Sequence, residues 1–166
     1  MMKQFRTFLI AAVALFGFQT MSAQTKVAHV DTNEIMTKMP AVLDAQNQLK
    51  KLSDTYTAEY KTMVDEYQAK IKKYDAEAAT VTDAVNQTRQ TEMQDMGRRI
   101  GEYQETAQKD LQKKEADLMK PITEKVKASI QKVGKAKGFN YVLNAGDLLF
   151  ADGTDITADV KKDLGF

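Results

Sequence analysis

Residues 45–85, AQNQLKKLSDTYTAEYKTMVDEYQAKIKKYDAEAATVTDAV, decide the fold. Apolar or small side chains recur at Ala45, Leu49, Leu52, Tyr56, Tyr60, Met63, Tyr67, Ile71, Tyr74, Ala78, Val81 and Val85. Eleven steps cover 40 residues, about 3.6 residues per step, the period of one face of an α-helix. Rows also recur eleven apart (Ala45, Tyr56, Tyr67, Ala78), which predicts an arm nearly straight or slightly right-handed, not a strict heptad rope.

A second stripe follows at Met93, Met96, Ile100, Tyr103, Ala107, Leu111, Leu118, Ile122, Val126 and Ile130. Lys114 stands where one apolar seam residue is expected, so packing should loosen there. Gly97 and Gly101 each weaken a helix by roughly 1 kcal/mol relative to Ala, unless they let the arms approach closely. Between the stripes lies one short polar stretch, 80–83. The pattern predicts a helix that goes out over 41–79, reverses, and returns over 83–120. At 1.5 Å per residue each arm would reach roughly 55–60 Å. A reversal nearer 86–88 is the alternative. Pro121 marks a kink or a restart, tolerated in a first helical turn.

Outward from the hairpin the signals change. Lys26-Val27-Ala28-His29-Val30 alternates like a short strand. Asp31, Thr32 or Asn33 then caps a short helix, and Pro40 suits the first turn of the next. The run 134–138, Gly-Lys-Ala-Lys-Gly, lacks the spacing of a phosphate loop and reads as a helix C-terminus. Residues 139–143 and 147–151 read as two strands of a hairpin through Ala145-Gly146. Asp152-Gly153 marks another turn, and Thr157 reads as the N-cap of a last short helix. The ends together predict a small body over 24–40 and 121–166, with Val27, Val30, Tyr141, Leu143, Leu149, Ile156 and Val160 as core or assembly residues. So few core residues favour completion by other chains.

The first residues read as an export signal, 1–23. Lys3 and Arg6 precede the apolar run 8–18, and Ser22-Ala23 offers a cut site. An uncleaved anchor is the alternative, but the run falls short of the roughly 18 residues a membrane span needs. Without Lys3 and Arg6, 22 of the 24 basic residues stand against 23 acidic ones, a formal charge of −1. Nucleic-acid binders carry a basic excess to neutralise phosphate, and this chain does not. No cysteine and one histidine, His29, leave no usual zinc site. No serine has a nucleophile context. The reading is therefore no enzyme, no cofactor and no metal.

Tyr56, Tyr60, Tyr67, Tyr74, Met63, Met93 and Met96 are the candidates for contact with an apolar partner, since tyrosine and methionine suit adaptable apolar binding. The competing reading is that most of them fill the seam between the two helices. Residues 121–137 carry five lysines against one glutamate, which either attracts an anionic surface or balances the acidic C-terminus.

Phe139-Asn140-Tyr141-Val142-Leu143-Asn144 and Asp155-Ile156-Thr157-Ala158-Asp159-Val160 resemble the ending of the Skp/OmpH family of periplasmic chaperones. The order of elements, from export signal to closing strands, is similar along the whole remaining chain. The resemblance implies a homotrimer in which three helical tentacles surround a cavity holding unfolded outer-membrane proteins, without ATP. It also implies a lipopolysaccharide contact, which counting back from the C-terminus places at Lys113 and Lys114. Members are often strongly basic, and the near-neutral charge here departs from that. The expected class is α+β, mostly α: a coiled-coil-like helical hairpin on a small β-stranded body that trimerises in the periplasm. A coiled-coil spacer of the envelope, tethering a folded partner, is the rival reading.

Overall fold

The computed structural model describes residues 25–166, so the expected export signal lies outside the described residues. Strand β1 (Val27–Val30) leads into helix α1 (Thr32–Lys38), which Asp31 caps by accepting the Glu34 N–H at 2.8 Å. Pro40 then opens α2 (Pro40–Glu77), 38 residues long, with a fixed φ that suits the first turn. A single 3₁₀ turn, Ala78–Thr80, reverses the chain. Thr82 caps α3 (Asp83–Ala136), which runs 54 residues, about 80 Å. The Asn86 carboxamide donates to the Ala78 carbonyl at 3.0 Å and ties the two sides of the turn together.

Pro121 neither breaks nor restarts this helix: α3 passes through it. Proline removes one N–H and leaves the carbonyl four residues back unpaired. Here the position is exposed, so water can take that bond. Gly97 and Gly101 bring nothing close: a Cβ at either would meet no atom within 4 Å. Both sit on the open side of α3, so of the two readings they weaken the helix and do not serve a close approach of the arms.

At its end α3 winds into a left-handed glycine. Gly138, at φ 74°, donates to the Lys135 carbonyl, and Phe139 donates to Gly134, the paired bonds of a Schellman stop. The chain emerges as β2 (Tyr141–Asn144), followed by β3 (Thr154–Asp155) and α4 (Thr157–Leu164).

The expected C-terminal hairpin is not formed. β2 and β3 lie on opposite sides of β1, and both pair with it in parallel, giving the order β2-β1-β3. Residues 148–151 are not strand; a 3₁₀ turn over Ala145–Asp147 precedes them. Asn144 explains much of this. Its carboxamide oxygen accepts from the Thr32 N–H at 3.3 Å and hydroxyl at 2.7 Å, pinning the end of β2 beside α1. Thr157 is not the cap of α4 either. Ile156 holds the cap position, and Asp155 accepts from the Thr157 N–H at 2.8 Å. The Thr157 hydroxyl instead accepts the Asp31 N–H at 2.9 Å, joining α4 to the end of β1.

The core sits in this base. Ala28 and Val30 point from β1 onto Ile35, Met39, Val42, Val126, Val133, Ile156 and Val160, all buried. Gly134 lets α3 press on β2: a Cβ there would meet the Val142 side chain at 3.0 Å. Val30, Ile156 and Val160 thus serve the core, whereas Val27, Tyr141, Leu143 and Leu149 are exposed. None of the described helices is long and apolar enough to cross a membrane.

Candidate functional site

The arm formed by α2 and α3 offers the largest continuous surface beyond the base. Two helices can cover only one stripe of each other, and the burial along the seam reflects this. Tyr56, Met63, Tyr67, Tyr74, Met93 and Met96 are half-buried, and Tyr60 is exposed. Within the arm beyond the base only Ala45 and Ala107 are buried outright. The stripe therefore packs the arms and presents apolar edges to solvent at once.

Tyrosines bridge the arms by donating to carboxylates opposite. The Tyr103 hydroxyl donates to Glu59 at 2.5 Å and the Tyr56 hydroxyl to Asp110 at 3.1 Å, while the two rings meet edge to face at 6.0 Å. Nearer the tip, Tyr74 donates to Glu92 at 2.6 Å, and Lys70 pairs with the same carboxylate. Arg89 lies over the Tyr74 ring at 4.4 Å and pairs with Glu77.

Partial burial and these bonds together shift the proton affinities. Partial burial between the helices, then the Glu59 carboxylate, pushes Tyr103 up to about 12. Burial and Asp110 raise Tyr56; the Glu92 carboxylate, then burial, raises Tyr74. The Lys70 ammonium, then the Tyr74 hydroxyl, holds Glu92 below the usual carboxylate range. A tyrosine raised in the folded state favours folding below its ordinary value near 10, and that contribution goes as pH climbs through the folded value. The arms are therefore expected to loosen between about pH 10 and 12, and the Glu92 clasp only below ordinary carboxylate pH. Absorbance at 295 nm should show Tyr56, Tyr74 and Tyr103 ionising above the ordinary tyrosine range, and Tyr103→Phe should delete the step near 12. Uniform ionisation near pH 10 would contradict the cross-arm bonds.

The helices leave a gap along one side of the seam, and Lys114 is not among the residues that line it. A cleft of about 680 Å³ opens between α2 and α3, walled by Leu49, Tyr56, Tyr60, Tyr103, Leu111 and a row of glutamines. Farther out the seam closes, leaving only about 50 Å³ beside Met63, Met96 and Ile100. Of the candidate residues, Tyr56 and Tyr60 share the cleft, Met63 and Met96 share the small gap, and Tyr74 belongs to the tip cluster. Lys113 and Lys114 are exposed, and neither enters an ion pair among the described residues. Gln104, Gln108 and Gln112, which line the cleft, were not singled out from the sequence. Their spacing of four beside a polar break in the seam was the available signal.

The base contributes a different surface. In β1 the outward residues are Val27 and His29, paired in register with Tyr141 and Leu143 of β2. Val27 and Leu143 are 43% exposed and Tyr141 61%; Leu149 and Phe150 stand almost free beyond them. Parallel sheets are usually covered on both faces. This one is covered on a single face. Among the described residues no group of histidine, cysteine or carboxylate side chains is arranged to hold a metal.

A family model described as outer membrane protein (OmpH-like) matches residues 26–164. The chaperone protein Skp of Photorhabdus luminescens is 23% identical over 143 residues, covering 86% of this chain and 87% of its own. An uncharacterized protein of Aquifex aeolicus (strain VF5) is 26% identical over 140 residues, covering 82% and 84%. Among solved structures, an OmpH-like protein of Caulobacter crescentus CB15, assigned as an outer membrane chaperone, superposes with a TM-score of 0.77. It is 17% identical, and the match covers 86% of this chain and 85% of that one. That likeness speaks for the fold.

Proposed function

The chain belongs to the OmpH-like outer membrane protein family, and from that membership we propose an exported, ATP-independent chaperone that holds unfolded outer-membrane proteins and keeps them from aggregating. One observation carries the reading: a long helical pair whose tyrosine and methionine stripe stays half-exposed along most of its length. A stripe serving only as a seam has no need of exposed Tyr60 or of an open cleft. Contacts of this kind are individually weak, and several arms around one cavity add them by avidity.

Assembly as a trimer fits the base. The open face of the parallel sheet, with Val27, Tyr141, Leu143 and Leu149 exposed, is the surface we assign to neighbouring copies. Residues 24–40 and 121–166 then form the assembling body, and 41–120 the holding arm with its tip near 80–83. Lys113 and Lys114 are available to an anionic headgroup such as lipopolysaccharide. Periplasmic location follows if residues 1–23 direct export. The mechanism calls for no bond-making step, so the protein acts by binding alone.

The test is to dilute a urea-unfolded outer-membrane barrel protein with and without the purified chain. Scattering is expected to fall to near the buffer level at one trimer equivalent. Unchanged scattering across a trimer excess would end this reading.

A further inference from the structure

We propose that Gln104, Gln108 and Gln112 form a backbone-reading ladder that binds an extended β-strand segment in the cleft between α2 and α3; the proposal rests on the holding function above. Three features of the cleft point to this occupant.

The first is spacing. Residues four apart on a helix rise about 6 Å, and residues two apart on a strand rise about 6.7 Å. Successive glutamines thus meet successive backbone groups on one edge of a strand, with a drift of about 1.4 Å over the three, within reach of the flexible glutamine side chain. The second is bonding capacity. A carboxamide offers both a donor and an acceptor, as the neighbouring strand of a sheet would. Among the described residues, these three carboxamides make no side-chain hydrogen bond, so all remain available. A peptide backbone leaving water needs such partners.

The third is the complement of charge and shape. The cleft carries charge only at one end, through Lys50 and Glu115. Its walls include Leu49 and Leu111 with the Tyr56 and Tyr103 rings, whose hydroxyls are engaged by Asp110 and Glu59. Apolar and aromatic walls shared with a row of amides suit a segment with apolar side chains on one face and unpaired backbone along one edge. That is the pattern of a barrel strand before it folds. Recognition through main-chain groups tolerates many sequences, as in strand addition to a sheet edge.

The probe is a fluorescein-labelled nine-residue peptide of alternating valine and threonine, compared with an analogue in which esters replace its central amides. The ester keeps the extended shape and removes the N–H donors. Binding by the full chain is followed by fluorescence anisotropy, beside a Q104A/Q108A/Q112A variant; alanine preserves helix propensity. The chain is expected to prefer the amide peptide by about tenfold, and the variant to lose about tenfold in affinity for it. The variant should then barely distinguish amide from ester. Equal binding of the two peptides by the unaltered chain, undiminished discrimination by the variant, or no binding of the amide peptide overturns the ladder. If any of these occurs while the chain still suppresses scattering of a diluted barrel protein, only the ladder falls. If scattering is also unaffected, the holding function falls with it.

Discussion

A chain carrying Tyr141→Asp and Leu143→Asp is expected to sediment as a monomer and to lose its protection of a diluted outer-membrane barrel protein. Both residues lie on the open face of the sheet, in register with Val27 and His29. In the free chain they are exposed, so aspartate there costs folding little. Against a neighbouring copy each carboxylate must leave water without a partner, a penalty of several kcal/mol per ion. In the proposed trimer, threefold repetition multiplies it, and losing assembly also removes the avidity of a shared cavity, about 10²- to 10⁴-fold in apparent affinity. Circular dichroism should remain that of the helical parent, separating lost assembly from lost fold. A variant that stays oligomeric would place the interface elsewhere.

Ile35→Ala is expected to cost about 2–5 kcal/mol in urea unfolding, the range for emptying a fully buried aliphatic site. Ile35 is completely buried, and it stands where α1 meets β1, α2 and α4. The base core is small: eleven hydrophobic residues are buried in the whole described chain, Ala45 and Ala107 of the arm among them. A loss of that size is a large share of any single domain's stability. Leu43→Ala, on the exposed side of the next helix, should change stability by no more than about 0.5 kcal/mol. Equal effects at the two positions would mean that the base core does not carry the fold.

The helical hairpin was legible because its signal is local and repeated. A stripe at 3.6-residue spacing states which face packs, whatever lies far off in the chain. A cap within 31–33, Pro40 and the helix stop at 134–138 were legible for the same reason: each acts on backbone groups within a turn of itself. The strands were legible only in part. Residues 147–151 have the composition of a strand, but composition names no partner. The candidate site divides likewise. The seam tyrosines and methionines stand out by period, whereas the glutamines of the cleft gain meaning only from the wall they share.

On its own, the sequence determined two long helices returning on each other from a small mixed base, since spacing, caps and the reversal are written within short windows. The tertiary structure alone decided that β2 and β3 flank β1 in parallel, that α3 runs unbroken through Pro121, and that one sheet face stays open. The strand order depends on groups more than a hundred residues apart: Asn144 takes the Thr32 N–H, and Thr157 takes the Asp31 N–H. Each unpaired backbone donor must find a partner, and no local pattern states which distant side chain supplies it.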